Sequence, residues 1–144
     1  SKHDCKRSRK DVCLMFGDFS ASGPRKRRLS GDEAKQLLEE ARRGDLVVRP
    51  FRSADRATTE GVCFCCDDCC GYFLNPEEAC DKGTQIEKTD PSLCVHCGEC
   101  VEICFFKARK LEDAKLTINS NQCYGCGNCV SKCPPKAISM VGRS

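Results

Sequence analysis

A duplicated cysteine spacing in the last third of the chain constrains the fold more than any other feature of the sequence. The spacing C-x2-C-x2-C-x3-C occurs first at Cys94, Cys97, Cys100 and Cys104, and again at Cys123, Cys126, Cys129 and Cys133. We call these the first and second cysteine motifs. Gly98 and Gly127 stand at matching positions in them. Agreement beyond the cysteines predicts two copies of one structural unit, related by a pseudo-twofold axis.

The high cysteine content indicates that the cysteines form disulfide cross-links or metal sites. There are 16 Cys among 144 residues, while large apolar residues are scarce. Disulfides and metal sites both use cysteines at such density. A zinc knuckle is an alternative, since C-x2-C pairs also bind zinc. Zinc sites use two separated pairs, however, whereas each motif here is a triplet plus one, which favours an iron-sulfur cluster.

Over residues 86–141, the two motifs resemble those of bacterial-type ferredoxins that hold two 4Fe-4S clusters. In that family the fourth cysteine of each motif binds the other cluster. The resemblance implies low-potential transfer of single electrons, and it predicts two ligand sets that cross between the motifs. One cluster would be bound by Cys94, Cys97, Cys100 and Cys133, and the other by Cys123, Cys126, Cys129 and Cys104.

The rest of the sequence predicts an α+β chain of two parts. Residues 84–144 are expected to form a ferredoxin-like pseudo-twofold domain with two 4Fe-4S clusters, and residues 1–83 a small cysteine-rich lobe with one helix. Ser30 and Glu33 form a capping box before a helical apolar pattern, which predicts a helix from about 31 to 43. A short strand over 46–49 is expected to stop at Pro50, followed by a polar linker over 51–60.

The cysteine-rich lobe carries a candidate third metal centre. Cys63, Cys66 and Cys69 repeat the triplet that opens each motif, and a remote cysteine would complete a third 4Fe-4S cluster. Cys13, which has apolar neighbours, is the first choice for that ligand, and Cys80 is the second. Zinc is the alternative, because Cys65 with Cys70 or Cys66 with Cys69 could join a second pair. Unbound or disulfide-bonded thiols are a further alternative.

Charge and composition narrow the partners of the chain. The net charge is +3, and the basic residues cluster over 6–10 and 25–28. Without interleaved aromatic residues these runs do not indicate nucleic-acid binding. They favour a protein redox partner with an acidic surface. No apolar run is long enough to span a membrane. We expect a cytoplasmic protein of an anaerobic organism.

Two functional hypotheses remain open at this level. In the first, the chain is an electron carrier without catalytic residues of its own, since no Ser-His-Asp set, phosphate loop or carboxylate pair stands out. In the second, it is the electron-entry domain or subunit of a multi-part redox enzyme, for example one that resembles the reductive activases of corrinoid proteins. The chain begins at Ser1 rather than Met, so the hypothesis that it is part of a longer protein stays open. In a third, structural interpretation the clusters only hold the fold together.

Overall fold

The computed structural model describes residues 5–7, 13–17, 27–75, 77 and 80–144. The chain divides into two units, Ser1–Cys80, here called the N-terminal lobe, and Asp81–Ser144, the C-terminal unit. The domain limits 1–83 and 84–144 remain a prediction from sequence. Most of the two basic runs lies outside the described residues. Among the helices of the described part, none is both long and apolar enough to cross a bilayer.

The N-terminal lobe is built on a three-stranded antiparallel sheet in the order β1-β3-β2. Its strands are β1 Cys13–Met15, β2 Val47–Arg52 and β3 Thr59–Cys65. Its helices are α1 Gly31–Arg43 and α2 Gly71–Leu74. The prediction of a single helix was wrong in this respect, because α2 is one turn long and too short to produce a helical pattern in the sequence.

Helix α1 confirms the capping box. The Ser30 hydroxyl accepts a hydrogen bond from the Glu33 N–H at 3.2 Å, and the Glu33 carboxylate accepts one from the Ser30 N–H at 2.8 Å. These bonds satisfy two backbone donors at the helix start. The helix ends at Arg43, and the N–H of Gly44 donates to the carbonyl of Glu40 at 2.9 Å. The predicted range of 31–43 is therefore confirmed.

The prediction that Pro50 stops its strand was wrong. Strand β2 continues through Pro50 to Arg52, and Pro50 lies opposite Val62 of β3. Proline lacks the backbone N–H that a residue of a central strand donates to a neighbouring strand, but β2 is an edge strand that pairs only with β3 among the described residues. The predicted polar linker is accordingly shorter, because Phe51 and Thr59 belong to strands.

The C-terminal unit repeats one order of elements: strand, cysteine loop, short helix, strand. Strand β4 pairs antiparallel with β7, and β5 pairs antiparallel with β6. The elements are β4 Gln85–Thr89, α3 Glu99–Glu102, β5 Arg109–Glu112, β6 Lys115–Ile118, a 3-10 turn Ser120–Gln122, α4 Asn128–Lys132 and β7 Ile138–Gly142. The unit is therefore a small α+β structure in which each cysteine motif runs from a loop into a short helix.

The apolar core is small. In the C-terminal unit, the buried apolar side chains besides Cys100 are Ile103, Phe105, Ala108, Ala137 and Ile138. In the N-terminal lobe they are Ala41, Leu46 and Val47, together with the thiols of Cys65 and Cys66. A core of this size offsets little of the conformational entropy lost on folding, so other interactions must contribute stability.

Candidate metal centres

The first cysteine motif wraps around a cavity. His96 and Gly98 adopt left-handed backbone conformations with φ of 56° and 82°, which turn the loop tightly before α3. Glycine reaches this region without strain. The cavity is lined by Thr89, Cys94, Val95, His96, Cys97, Gly98, Glu99, Cys100, Leu116, Cys133, Pro135 and Ile138. Three thiols of the first motif thus share this cavity with the last thiol of the second motif.

The second motif has the same loop geometry. Gly125 and Gly127 have φ of 81° and 78° and precede α4, as His96 and Gly98 precede α3. The pKa of the Cys129 thiol is raised to about 12, chiefly by burial and in part by the neighbouring thiols of Cys126 and Cys104, against the opposing charge of Arg109. The last thiol of the first motif therefore lies within electrostatic range of the second motif.

The electrostatics of the Cys126 thiol also group Cys104 with the cysteines of the second motif. Its pKa is raised by burial first, and then by the charges of Cys104 and Cys123. The pKa of Cys100 is likewise raised by burial, with a smaller contribution from Cys133. Crowded, partly desolvated thiols resist ionisation on their own, whereas iron binds the thiolate and supplies the compensating positive charge. The two sets of four thiols therefore suit 4Fe-4S clusters, which are held by four cysteine thiolates.

Arg109 is a functional candidate that the sequence interpretation missed. Its side chain is 1% exposed and forms an ion pair with Glu87. One guanidinium nitrogen donates to the Cys100 sulfur at 3.4 Å, and another donates to the Thr89 hydroxyl at 3.0 Å. The same guanidinium charge lowers the pKa of Cys129, where burial is the larger and opposite effect. A positive charge thus lies close to a thiol of each motif.

Two further contacts orient atoms around the first cavity. The backbone N–H of Ala137 donates to the Cys133 sulfur at 3.3 Å. His96 accepts the N–H of Leu116 on its Nδ1 at 3.1 Å, so a neutral His96 ring carries its proton on Nε2. Donors aimed at ligand sulfurs stabilise added negative charge and adjust the reduction potential of a cluster.

In the N-terminal lobe, the four predicted ligands of a third centre fall into two pairs. The sulfurs of Cys66 and Cys69 are 3.6 Å apart, and those of Cys13 and Cys63 are 3.9 Å apart. A residue that was not predicted, Cys5, joins the first pair at 3.5 Å from Cys66. No signal in the sequence spacing points to Cys5, because it lies 61 residues from Cys66 along the chain.

The second pair belongs to another group of thiols. Cys13 lies directly opposite Cys63 across β1 and β3, and the hydrogen bond between the two thiols lowers the pKa of Cys13 to about 7. The bond with Cys13 raises the pKa of Cys63, and one with Cys70 raises that of Cys65. None of the sixteen cysteines, all of which lie in described parts of the chain, is joined in a disulfide.

Comparison with protein families identifies the C-terminal unit. The family model of the 4Fe-4S dicluster domain matches residues 86–134, which include both cysteine motifs completely. The match covers all eight cysteines of the two motifs and does not extend to the N-terminal lobe.

Individual relatives match over the same part of the chain. A ferredoxin of Pyrobaculum islandicum is 39% identical over 56 residues, which are 38% of this chain and 52% of the relative. An uncharacterised ferredoxin of Methanocaldococcus jannaschii is 36% identical over 56 residues, 38% of this chain and 34% of the relative. One component of an ion-translocating oxidoreductase complex from Methanosarcina acetivorans is 32% identical over 60 residues, 42% of this chain and 23% of the relative.

The chain thus spans at most about half the length of these relatives. The duplicated motifs, the two groups of four thiols and the matching family model agree on one module with two 4Fe-4S clusters. Residues 86–134 of this chain match the 4Fe-4S dicluster domain, and over this part the chain is similar to ferredoxins.

Proposed function

We propose that the chain passes single electrons at low potential between a donor and a larger oxidoreductase, through two clusters whose fourth ligands are exchanged between the motifs. In this proposal Cys94, Cys97, Cys100 and Cys133 bind cluster I. Cys123, Cys126, Cys129 and Cys104 bind cluster II.

A single observation carries the ligand assignment. Cys133 lines the cavity of Cys94, Cys97 and Cys100, although it lies in the other motif. The counterpart in the second motif is Cys104, whose charge raises the pKa of the Cys126 and Cys129 thiols although Cys104 belongs to the first motif. Ligands exchanged in this way hold the two clusters in one rigid unit, which suits transfer of an electron from one to the other.

The pseudo-twofold relation between the motifs belongs to the same proposal. It is supported by backbone angles that recur at matching positions. Gly98 and Gly127 have φ of 82° and 78°, and Lys107 and Lys136, which follow the two helices, have φ of 57° and 53°. A left-handed lysine is uncommon, so its occurrence at both matching positions favours a true structural repeat.

The clusters supply the one-electron chemistry, and the protein controls the potential and the access of water. Burial of Cys100 and the hydrogen bonds from Arg109 and Ala137 act on cluster I. The charge of Arg109 also acts on Cys129 of cluster II. Arg109 therefore favours the reduced, more negative state of both clusters, and its ion pair with Glu87 moderates that effect.

The partner is proposed to be a redox protein with an acidic surface, met in a cytoplasmic and anaerobic setting where thiols stay reduced and clusters stay intact. The basic runs at 6–10 and 25–28 support an acidic partner. Two described members already contact carboxylates of the chain, Arg7 with Asp67 and Arg27 with Glu33, both at 2.7 Å. The positive charge that attracts an acidic partner must then come from the other basic residues of these two runs. Weaker association at higher salt would support the proposal.

A second candidate function is that of an electron-entry domain or subunit of a multi-part enzyme, such as a reductive activase of corrinoid proteins. The observation in its favour is that several relatives are named as parts of oxidoreductases. One is the iron-sulfur subunit ArrB of an arsenate respiratory reductase from a Shewanella strain, 38% identical over 53 residues and 23% of that protein.

Spectroelectrochemical titration of the anaerobically purified chain tests electron transfer directly. We expect dithionite to bleach the visible absorption and each cluster to take up one electron reversibly at low potential. A Cys97→Ser variant, which lacks a ligand of cluster I, should lose about half of the bleachable absorption. Absorption that dithionite leaves unchanged would instead favour a structural role for the clusters.

A further inference from the structure

Three cysteine sulfurs converge in the N-terminal lobe, at a place outside the ferredoxin module. They belong to Cys5, Cys66 and Cys69, and all three lie within 4.8 Å of one another. Cys66 is separated from Cys5 by 3.5 Å and from Cys69 by 3.6 Å. Cys66 is 2% exposed, so the group lies at least partly out of solvent.

The distances between these sulfurs suit a single metal ion. Zinc binds thiolates at about 2.3 Å in a tetrahedron, which places neighbouring sulfurs about 3.8 Å apart. Thiolates on a 4Fe-4S cluster stand further apart, because each binds a different iron at a different corner. A disulfide requires about 2.05 Å and joins only two sulfurs. The observed spacing is therefore closest to that of a tetrahedral thiolate site.

The local structure positions the three sulfurs without help from a metal. Cys66 and Cys69 lie at the two ends of the turn that follows β3, in the C-x2-C spacing of zinc sites. The segment that carries Cys5 is attached to the same turn. The N–H of Lys6 donates to the Asp68 carboxylate at 2.9 Å, and Arg7 pairs with Asp67 at 2.7 Å.

From this geometry we propose that Cys5, Cys66 and Cys69 bind one zinc ion, which fastens the N-terminal segment to the turn after β3. Three thiolates leave one position of the tetrahedron for a fourth ligand. Zinc is proposed rather than copper, because zinc is redox-inert and forms tetrahedral structural sites with cysteine thiolates, as suits an ion that only fastens two segments together.

The lobe gains from such an ion because its segment around Cys5 has no apolar side chain to bury. Residues 5–7 are Cys, Lys and Arg; the hydrogen bond of Lys6 is exposed to solvent, and the ion pair of Arg7 is partly exposed. Exposed polar contacts contribute little to stability. A bound metal contributes its binding free energy to folding directly, and it links two parts of the chain that are far apart in sequence.

Metal analysis of matched variants tests the proposal on the full chain, purified without oxygen. Cys5→Ser and Cys69→Ser should each lose about one zinc ion per chain relative to the wild type, while iron stays near eight. The unchanged iron content reports that the ferredoxin module is still folded. Asp68→Ala is the control: it removes the acceptor of Lys6 but no sulfur, and it should keep its zinc.

X-ray absorption at the zinc edge adds a second measurement on the wild type. We expect a first shell dominated by sulfur at about 2.3 Å. A wild type without zinc would overturn the proposal, and so would iron near nine or twelve per chain, which would indicate a single iron ion or a third 4Fe-4S cluster at this place. Zinc retained by both cysteine variants, or lost equally by Asp68→Ala, would overturn the ligand assignment.

Discussion

Arg109 illustrates how one buried side chain can act on both cluster sites. Its guanidinium contacts the sulfur of Cys100 and acts electrostatically on Cys129, while Glu87 balances its charge. Buried charges are retained only when they are paired and hydrogen-bonded, and both conditions hold here. Nothing in the linear sequence distinguishes Arg109 from the other basic residues of the chain.

Replacing Arg109 tests this role. Arg109→Met removes a positive charge and a donor to Cys100, so the potential of cluster I should become more negative, and that of cluster II should follow in the same direction. Leaving Glu87 unpaired should also cost roughly 3–5 kcal/mol of stability. Redox titration measures the potentials, and urea unfolding of the metal-loaded chain measures the stability.

The exposed neighbour Lys110 provides the matched control, because Lys110→Met removes the same charge one residue away. We expect it to leave both potentials nearly unchanged, since solvent screens an exposed charge. Equal shifts in the two variants would show that net charge, and not the contact with Cys100, is responsible.

The exchange of fourth ligands makes a second prediction at the scale of residues. Cys104→Ser should disrupt cluster II, held by Cys123, Cys126 and Cys129, although Cys104 lies in the first motif. Two reference variants decide the outcome by electron paramagnetic resonance, namely Cys97→Ser for loss of cluster I and Cys126→Ser for loss of cluster II. The spectrum of reduced Cys104→Ser should match that of Cys126→Ser. A match to Cys97→Ser instead would refute the exchange.

At the scale of elements, the loop before α4 depends on close backbone approach. A Cβ atom at Gly125 would lie 2.2 Å from the carbonyl oxygen of Gln85, at the start of β4, whereas one at Gly127 would meet nothing within 4 Å. Both glycines have positive φ. The pair therefore separates the effect of backbone conformation from the effect of packing.

Gly127→Ala should lower the free energy of unfolding by about 1–2 kcal/mol, the cost of a left-handed residue with a Cβ. Gly125→Ala carries the same cost and a clash in addition, so it should be clearly more destabilising and should release iron from cluster II at a lower urea concentration. Anaerobic urea titrations that follow the visible absorption compare the two. Equal midpoints would mean that the loop moves away from β4 without cost.

Local signals were predicted from the sequence, and long-range arrangements were not. The capping box of Ser30 and Glu33 depends on neighbours in the chain, and it was predicted with the bounds of α1. The course of β2 through Pro50 depends on β2 being an edge strand, which is a property of the whole sheet. The motif spacing predicted the dicluster module because each motif is short and local in sequence. The second copy of the motif supports the interpretation of the first.

In the N-terminal lobe, cysteine spacing alone does not predict which thiols lie close together. The triplet of Cys63, Cys66 and Cys69 predicts one centre, which stays a prediction from sequence, and β3 ends at Cys65, between the first two of these cysteines. The sulfur of Cys63 therefore lies by Cys13 on the sheet, while those of Cys66 and Cys69 meet Cys5 beyond it. The strand end that separates them, and the return of the N-terminal segment, are tertiary features that spacing alone does not encode.

At the scale of the whole molecule, folding should depend on metal. The C-terminal unit buries few large apolar side chains, so cluster binding must supply much of its folding free energy. Removing iron with a chelator should abolish most of the ordered structure in circular dichroism, and reconstitution with iron and sulfide should restore it. A cooperative thermal transition in the metal-free chain would contradict this account of its stability.

The proposed function requires one claim to hold, namely that this chain binds two 4Fe-4S clusters close together in one module and passes electrons through them. Iron and sulfide analysis combined with electron paramagnetic resonance of the fully reduced, anaerobically purified chain tests that claim most directly. We predict about eight iron and eight sulfide ions per chain, and a reduced spectrum broadened by magnetic coupling between two neighbouring clusters. About four iron ions per chain with the uncoupled spectrum of one cluster would contradict it.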